Sequence, residues 1–105
     1  MVEPISSLII WGLTTLLLGA YVISIYLLTI VALVDLLEDW ATDNYVDEDD
    51  VGFVTKAISA GNCSHIGGVW NKRTNKVRDA WKIKAQNVDS NVSSKLRQSD
   101  VLLIS

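Results

Sequence analysis

Two short stretches hold the side chains best suited to chemistry. Gly61-Asn62-Cys63-Ser64-His65-Ile66-Gly67-Gly68 brings the chain's single Cys within two positions of its single His, and Asp47-Glu48-Asp49-Asp50 crowds four carboxylates together. A thiol and an imidazole are two parts of a nucleophilic centre, but the chemistry also needs a group that orients the base and a formed pocket. No spacing in this sequence signals either. Zinc is no better served, since structural sites take four Cys or His ligands and catalytic sites three. The missing ligands would have to be carboxylates or come from another subunit. The Gly-rich loop therefore reads as structural, with no catalytic residue, no metal site and no cofactor assigned.

The acidic stretch raises calcium, which is bound by oxygen ligands at alternate positions of a loop. Asp47, Asp49 and Gly52 imitate the start of such a loop, but Val51 stands where a third ligand belongs and Ile58 where the closing Glu belongs. A solvated acidic linker over residues 41–50, with Asp50 capping the next helix, is the reading this pattern supports. Two matches to the N-glycosylation pattern, Asn62-Cys63-Ser64 and Asn91-Val92-Ser93, are close to what this composition yields by chance.

Charge is divided sharply along the chain. Residues 1–50 hold nine acids and no Lys or Arg, whereas all nine bases lie beyond, against three acids. Six of those bases, Lys72, Arg73, Lys76, Arg78, Lys82 and Lys84, cluster near Trp70 and Trp81. Bases interleaved with aromatics can serve nucleic acid, anionic lipid headgroups or an acidic protein surface. Complementarity to the segment Asp35 to Asp50, in this chain or a neighbouring copy, is preferred, then membrane lipid, then nucleic acid.

These groups have to be positioned by the elements around them, and the largest signal is hydrophobic. Thirty consecutive residues, Ile5 to Val34, carry no charge, and about 20 apolar residues suffice to cross a bilayer. The run predicts one retained transmembrane helix, spanning from Gly12 to Val34 with Trp11 and Trp40 as interfacial anchors. A cleaved signal peptide would need a basic start and a shorter apolar core. The absence of nearby bases leaves orientation to the acidic flank, which places the C-terminal half on the non-cytoplasmic side. Gly12, Thr15, Gly19, Val22, Tyr26 and Thr29 recur at steps of three and four, a small-residue seam suited to packing against another helix.

Beyond the span, Leu33, Leu36, Leu37 and Trp40 keep helical spacing, so the helix is expected to run on as a short amphipathic stalk. A second short helix is expected from Val51 to Ala60, ended by Gly61. Across residues 74–98 two periods compete. Val77, Trp81, Ala85, Val88, Val92 and Leu96 mark a helical stripe, while Val77, Trp81 and Ile83 alternate with Lys76, Arg78, Lys82 and Lys84 as in a strand that Ile66 to Trp70 could join as a hairpin. The longer, helical pattern is preferred. Val101-Leu102-Leu103-Ile104 is too apolar to stand alone in water and is expected to dock on a neighbour or the lipid surface.

The resulting expectation is a mainly α chain. It has one long N-terminal transmembrane helix with a short amphipathic stalk (1–40), an acidic linker (41–50) and a small basic helical or α+β extramembrane region (51–105). The matching function is a non-catalytic, single-pass accessory or structural subunit of a larger membrane assembly, a multisubunit membrane complex or a lipid-containing virion. Its partners would be membrane lipids and other membrane subunits or copies of itself. The alternative is a small self-associating pore-forming or membrane-permeabilising protein.

Overall fold

A computed structural model describes residues 22–56 and 63–104. Within the apolar run, Val22, Ser24 and Tyr26 are exposed while Ile23 and Ile25 are half-buried, a period of two that gives strand β1, Val22–Leu28. Branched Val22, Ile23 and Ile25 suit a pleated surface better than a helix. Thr29 then changes the backbone from strand to helix: its Oγ1 accepts the Ala32 N–H at 3.0 Å, capping helix α1, Ile30–Asp43.

The transmembrane helix expected from Gly12 to Val34 is overturned here. Residues 22–28 are extended, and α1 is 14 residues long with Asp35, Glu38, Asp39 and Asp43 along it, whereas a span needs about 20 predominantly apolar residues. No helix among the described residues is long and apolar enough to cross a membrane. The single-pass placement, its orientation and the mainly α fold class fall together. In β1 and the first turn of α1 the absence of charge accompanies packing against a sheet.

The remaining elements are β2 (Asp50–Lys56), β3 (His65–Asn71), β4 (Lys76–Val88), helix α2 (Ser90–Gln98) and β5 (Val101–Ile104). They form one mixed sheet of five strands in the order β1-β4-β3-β2-β5. β1 runs parallel to β4, while β4, β3, β2 and β5 are successively antiparallel. The helix expected from Val51 to Ala60 is thus replaced, over its described part, by a strand. The helical stripe from Val77 to Val88 is likewise a strand, and its hairpin with Ile66 to Trp70 is the alternative the sequence had offered. The last two residues of that stripe do lie on a helix: Val92 and Leu96 form the buried face of α2, which Asp89 caps by accepting the Asn91 N–H.

Both helices cover one face of the sheet. Leu33 of α1, with Val92 and Leu96 of α2, packs into a core with Leu28, Val54, Val69, Trp81, Ile83 and Ile104. Leu36, Leu37 and Trp40 pack against the same core from α1, so the helical spacing read there stands although the membrane stalk does not. Alternate residues point to the opposite face, where Phe53, Ile66, Trp70, Ala80 and Val101 form a second buried cluster. A Cβ on Gly68 would collide with the Asp79 carbonyl oxygen and the Phe53 ring, so this ring lies on bare backbone. β5 accounts for the apolar C-terminus: Val101, Leu102, Leu103 and Ile104 pair with Thr55, Val54, Phe53 and Gly52 of the same chain.

Candidate functional site

The densest set of charged side chains sits where the loop before β2 meets the β3–β4 turn. Asn71, only 2 % exposed, ends β3 and holds both. Its Oδ1 accepts the backbone N–H groups of Arg73 and Thr74, each at 3.0 Å, which shapes a turn completed by Asn75 at φ 57°. Asn tolerates that left-handed geometry better than most residues. The other end of the amide, Nδ2, donates to Asp50 Oδ1 at 2.8 Å and to Asp47 Oδ2 at 3.3 Å.

Two arginines complete the arrangement. Arg73 pairs with Asp47 and Asp49, and Arg78 pairs with Asp50, whose side chain is 3 % exposed. Arg78 also donates to the Tyr45 carbonyl at 2.7 Å and lies 5.1 Å from the Trp40 ring centroid, a cation–π distance. Trp40 in turn donates its indole N–H to Asp79 Oδ2 at 3.0 Å. The Arg73 guanidinium and the Asp49 backbone N–H hold the Asp47 carboxyl below its ordinary range, and the same ion pair raises Arg73.

This geometry fits a clamp. Three of the carboxylates considered for calcium already face arginine or asparagine donors, and among the described residues no group of three His, Cys, Asp or Glu side chains is placed to hold a metal ion. Complementarity between the acidic segment and the basic half is satisfied inside the chain at Arg73 and Arg78. Lys72 and Lys76 stand exposed at the same turn. Lys82 and Lys84 alternate with buried Trp81 and Ile83 and so point to the face away from the helices. The six bases therefore form no single patch.

The Cys63 environment disfavours an activated thiol. Burial pushes the Cys63 thiol up despite the nearby Lys82 ammonium, and burial together with Lys56 pushes the His65 imidazole down. Both changes favour neutral forms, whereas an activated thiol needs the thiolate. His65 is 6 % exposed, with Nδ1 3.0 Å from Ser64 Oγ. Ser64 is occupied with the backbone of β4: its Oγ accepts the Ala85 N–H at 3.0 Å and its N–H donates to the Ile83 carbonyl at 2.8 Å. The triplet seals the open end of the β3–β4 pair.

The seam residues are dispersed. Gly12, Thr15 and Gly19, with the anchor Trp11, lie outside the described residues, and Thr29 is the α1 cap. Val22 and Tyr26 share the exposed face of β1, not a helical stripe. Trp40 is half-buried between α1 and the sheet, with its indole N–H donated to Asp79. A cleft of about 360 Å³ beside it is lined by Asp39, Asp43, Asp79 and Trp81.

Sequence reasoning missed the edge of the sheet. Among the described residues β1 is a terminal strand, paired on one side only, and it carries no charged residue, proline or glycine. Val22 is 39 % exposed, Tyr26 74 % and Leu27 43 %, and Val31 at the start of α1 adds 69 %. Natural sheets usually guard such edges with lysine, proline or a bulge, because an open row of N–H and C=O groups accepts another strand. The signal was present in the alternation Val22-Ile23-Ser24-Ile25-Tyr26, hidden because both faces are nearly as apolar. Comparison with protein-family models, with curated proteins and with solved structures finds no match to the chain.

Proposed function

We propose that this protein is a non-catalytic assembly subunit that acts by contact, presenting the uncharged edge around β1 to a protein partner. The observation that carries the reading is the seven-residue strand without a charge that is terminal among the described residues, with Val22, Tyr26 and Leu27 exposed on it and Val31 exposed just after it. Apolar side chains exposed together on a small protein mark interaction sites, and an open strand edge adds directional backbone hydrogen bonds to that apolar area. The charge clamp supports the same reading, because it spends Arg73, Arg78 and three carboxylates on holding loops together. The neutral Cys63 environment supplies no activated thiol.

A photoreactive phenylalanine analogue at position 26, introduced into the full chain in the cells that make it, tests this contact. Tyr26 is 74 % exposed, so an aromatic replacement leaves the fold alone. The expected result is a discrete adduct of defined mass at position 26 and none at the exposed control position Gln98. No adduct at position 26, or the same diffuse products at both, would overturn the reading.

A further inference from the structure

We infer that the partner taken up by β1 is β1 of a second copy of this chain, in an antiparallel pair whose two-fold axis passes beside Ser24. This rests on the contact reading above and adds the identity of the partner. Among the described residues nothing pairs with the outer edge of β1, and an open strand edge calls for another strand, since only a strand satisfies its alternating donors and acceptors. The sequence of β1 then specifies which one. Val22-Ile23-Ser24-Ile25-Tyr26 is close to a palindrome about Ser24. Turned antiparallel on itself it places Val22 opposite Tyr26, Ile23 opposite Ile25 and Ser24 opposite Ser24. β-Branched with aromatic, aliphatic with aliphatic and hydroxyl with hydroxyl are cross-strand pairs that stabilise antiparallel sheets. A closed two-fold contact of this kind uses the same patch on both copies and ends the assembly at a dimer.

The faces also match. In such a pair, Ile23 and Ile25, which pack against the helix-covered core, extend that core across the two-fold axis. Val22 and Tyr26, exposed in the single chain, cover each other on the opposite face. Electrostatics permit the approach. The nearest bases, Lys82 and Lys84, sit on β4 in register with Val22 and Ser24. Their counterparts across the axis are three strand spacings away, roughly 14 Å at about 4.8 Å per spacing, beyond the Debye length of about 8 Å at physiological salt. An association driven by the acidic face of α1 meeting exposed lysines would instead weaken as salt is added.

Sedimentation of the purified full chain, with and without 0.5 M salt, tests the inference on wild type and two variants. Wild type is expected to be dimeric and insensitive to salt. Ser24→Lys places two ammonium groups opposite each other at the axis and is expected to weaken the dimer at least about 100-fold. Because Ser24 is exposed, its circular dichroism is expected to match wild type, and Ser24→Thr is expected to stay dimeric. A chain that remains monomeric up to about 100 μM, or a dimer that Ser24→Lys leaves intact, overturns the inference. If the purified chain is monomeric while position 26 still yields a discrete adduct with a different protein, the second copy is refuted and the contact reading survives. If neither is seen, both are refuted.

Discussion

At the scale of single residues, His65 shows how local burial decides chemistry. The imidazole is 6 % exposed, and both its burial and Lys56 disfavour the added proton. The unfolded chain therefore binds a proton more readily than the folded one just below the ordinary imidazole value of 6.5. Stability from this group is then fully present above 6.5 and falls as pH drops below that value towards the lowered folded-state value. Urea denaturation midpoints measured from about pH 8 down to about pH 5 are expected to decline, with the slope largely removed in His65→Asn. A slope unchanged by that substitution would refute the assignment. Asp47 does not confuse this window, because its depressed carboxyl titrates below the ordinary carboxylate value of 3.8; the stability it adds is present above 3.8 and lost as pH falls further.

At the scale of elements, the β3–β4 turn and the loop before β2 are held as one unit by Asn71, and neither is regular structure able to hold itself. Removing this amide leaves two turn N–H groups without their acceptor and the Asp50 carboxylate, 3 % exposed, short of a donor. Each buried polar group left unsatisfied costs about 1–3 kcal/mol. Asn71→Ala is therefore expected to destabilise the chain by about 2–4 kcal/mol in urea unfolding. The accompanying rise in amide exchange is expected at residues 44–49 and 72–75 first. A loss below about 0.5 kcal/mol, the size of an ordinary surface change, would contradict the clamp.

The same element scale shows what a sequence reading could reach. Leu33, Leu36, Leu37 and Trp40 lie on one face of a helix in the sequence and in the structure, because the intervening acids mark the opposite face. β4 was ambiguous because Val77 and Trp81 fit periods of four and of two; only pairing with β3, a non-local contact, decides between them. β1 was unreadable as a strand because the usual contrast between faces is missing: Ile23 and Ile25 point to the core, yet Val22 and Tyr26 point outward without charge. Asn71 carries no signature beyond preceding the polar run Lys72-Arg73-Thr74-Asn75, and its importance arises from loops that meet only on folding.

For the whole molecule, among the described residues, one sheet with both helices on the same face leaves two terminal strands, β1 and β5. β5 is four residues long, whereas β1 is seven and carries none of the lysine or proline that commonly guards an exposed edge. The charge division along the chain is partly folded away at the clamp, so the uncharged edge is the surface with the clearest unmet demand. Amide exchange along β1 of the full chain, followed as concentration is raised from about 1 to about 200 μM, tests this most directly. Alternate β1 amides face β4 and are protected at every concentration. The intervening amides, which face outward, are expected to exchange freely when dilute and to become protected together as the chain associates. Outward amides whose exchange stays the same at every concentration, in a chain that associates, would contradict it.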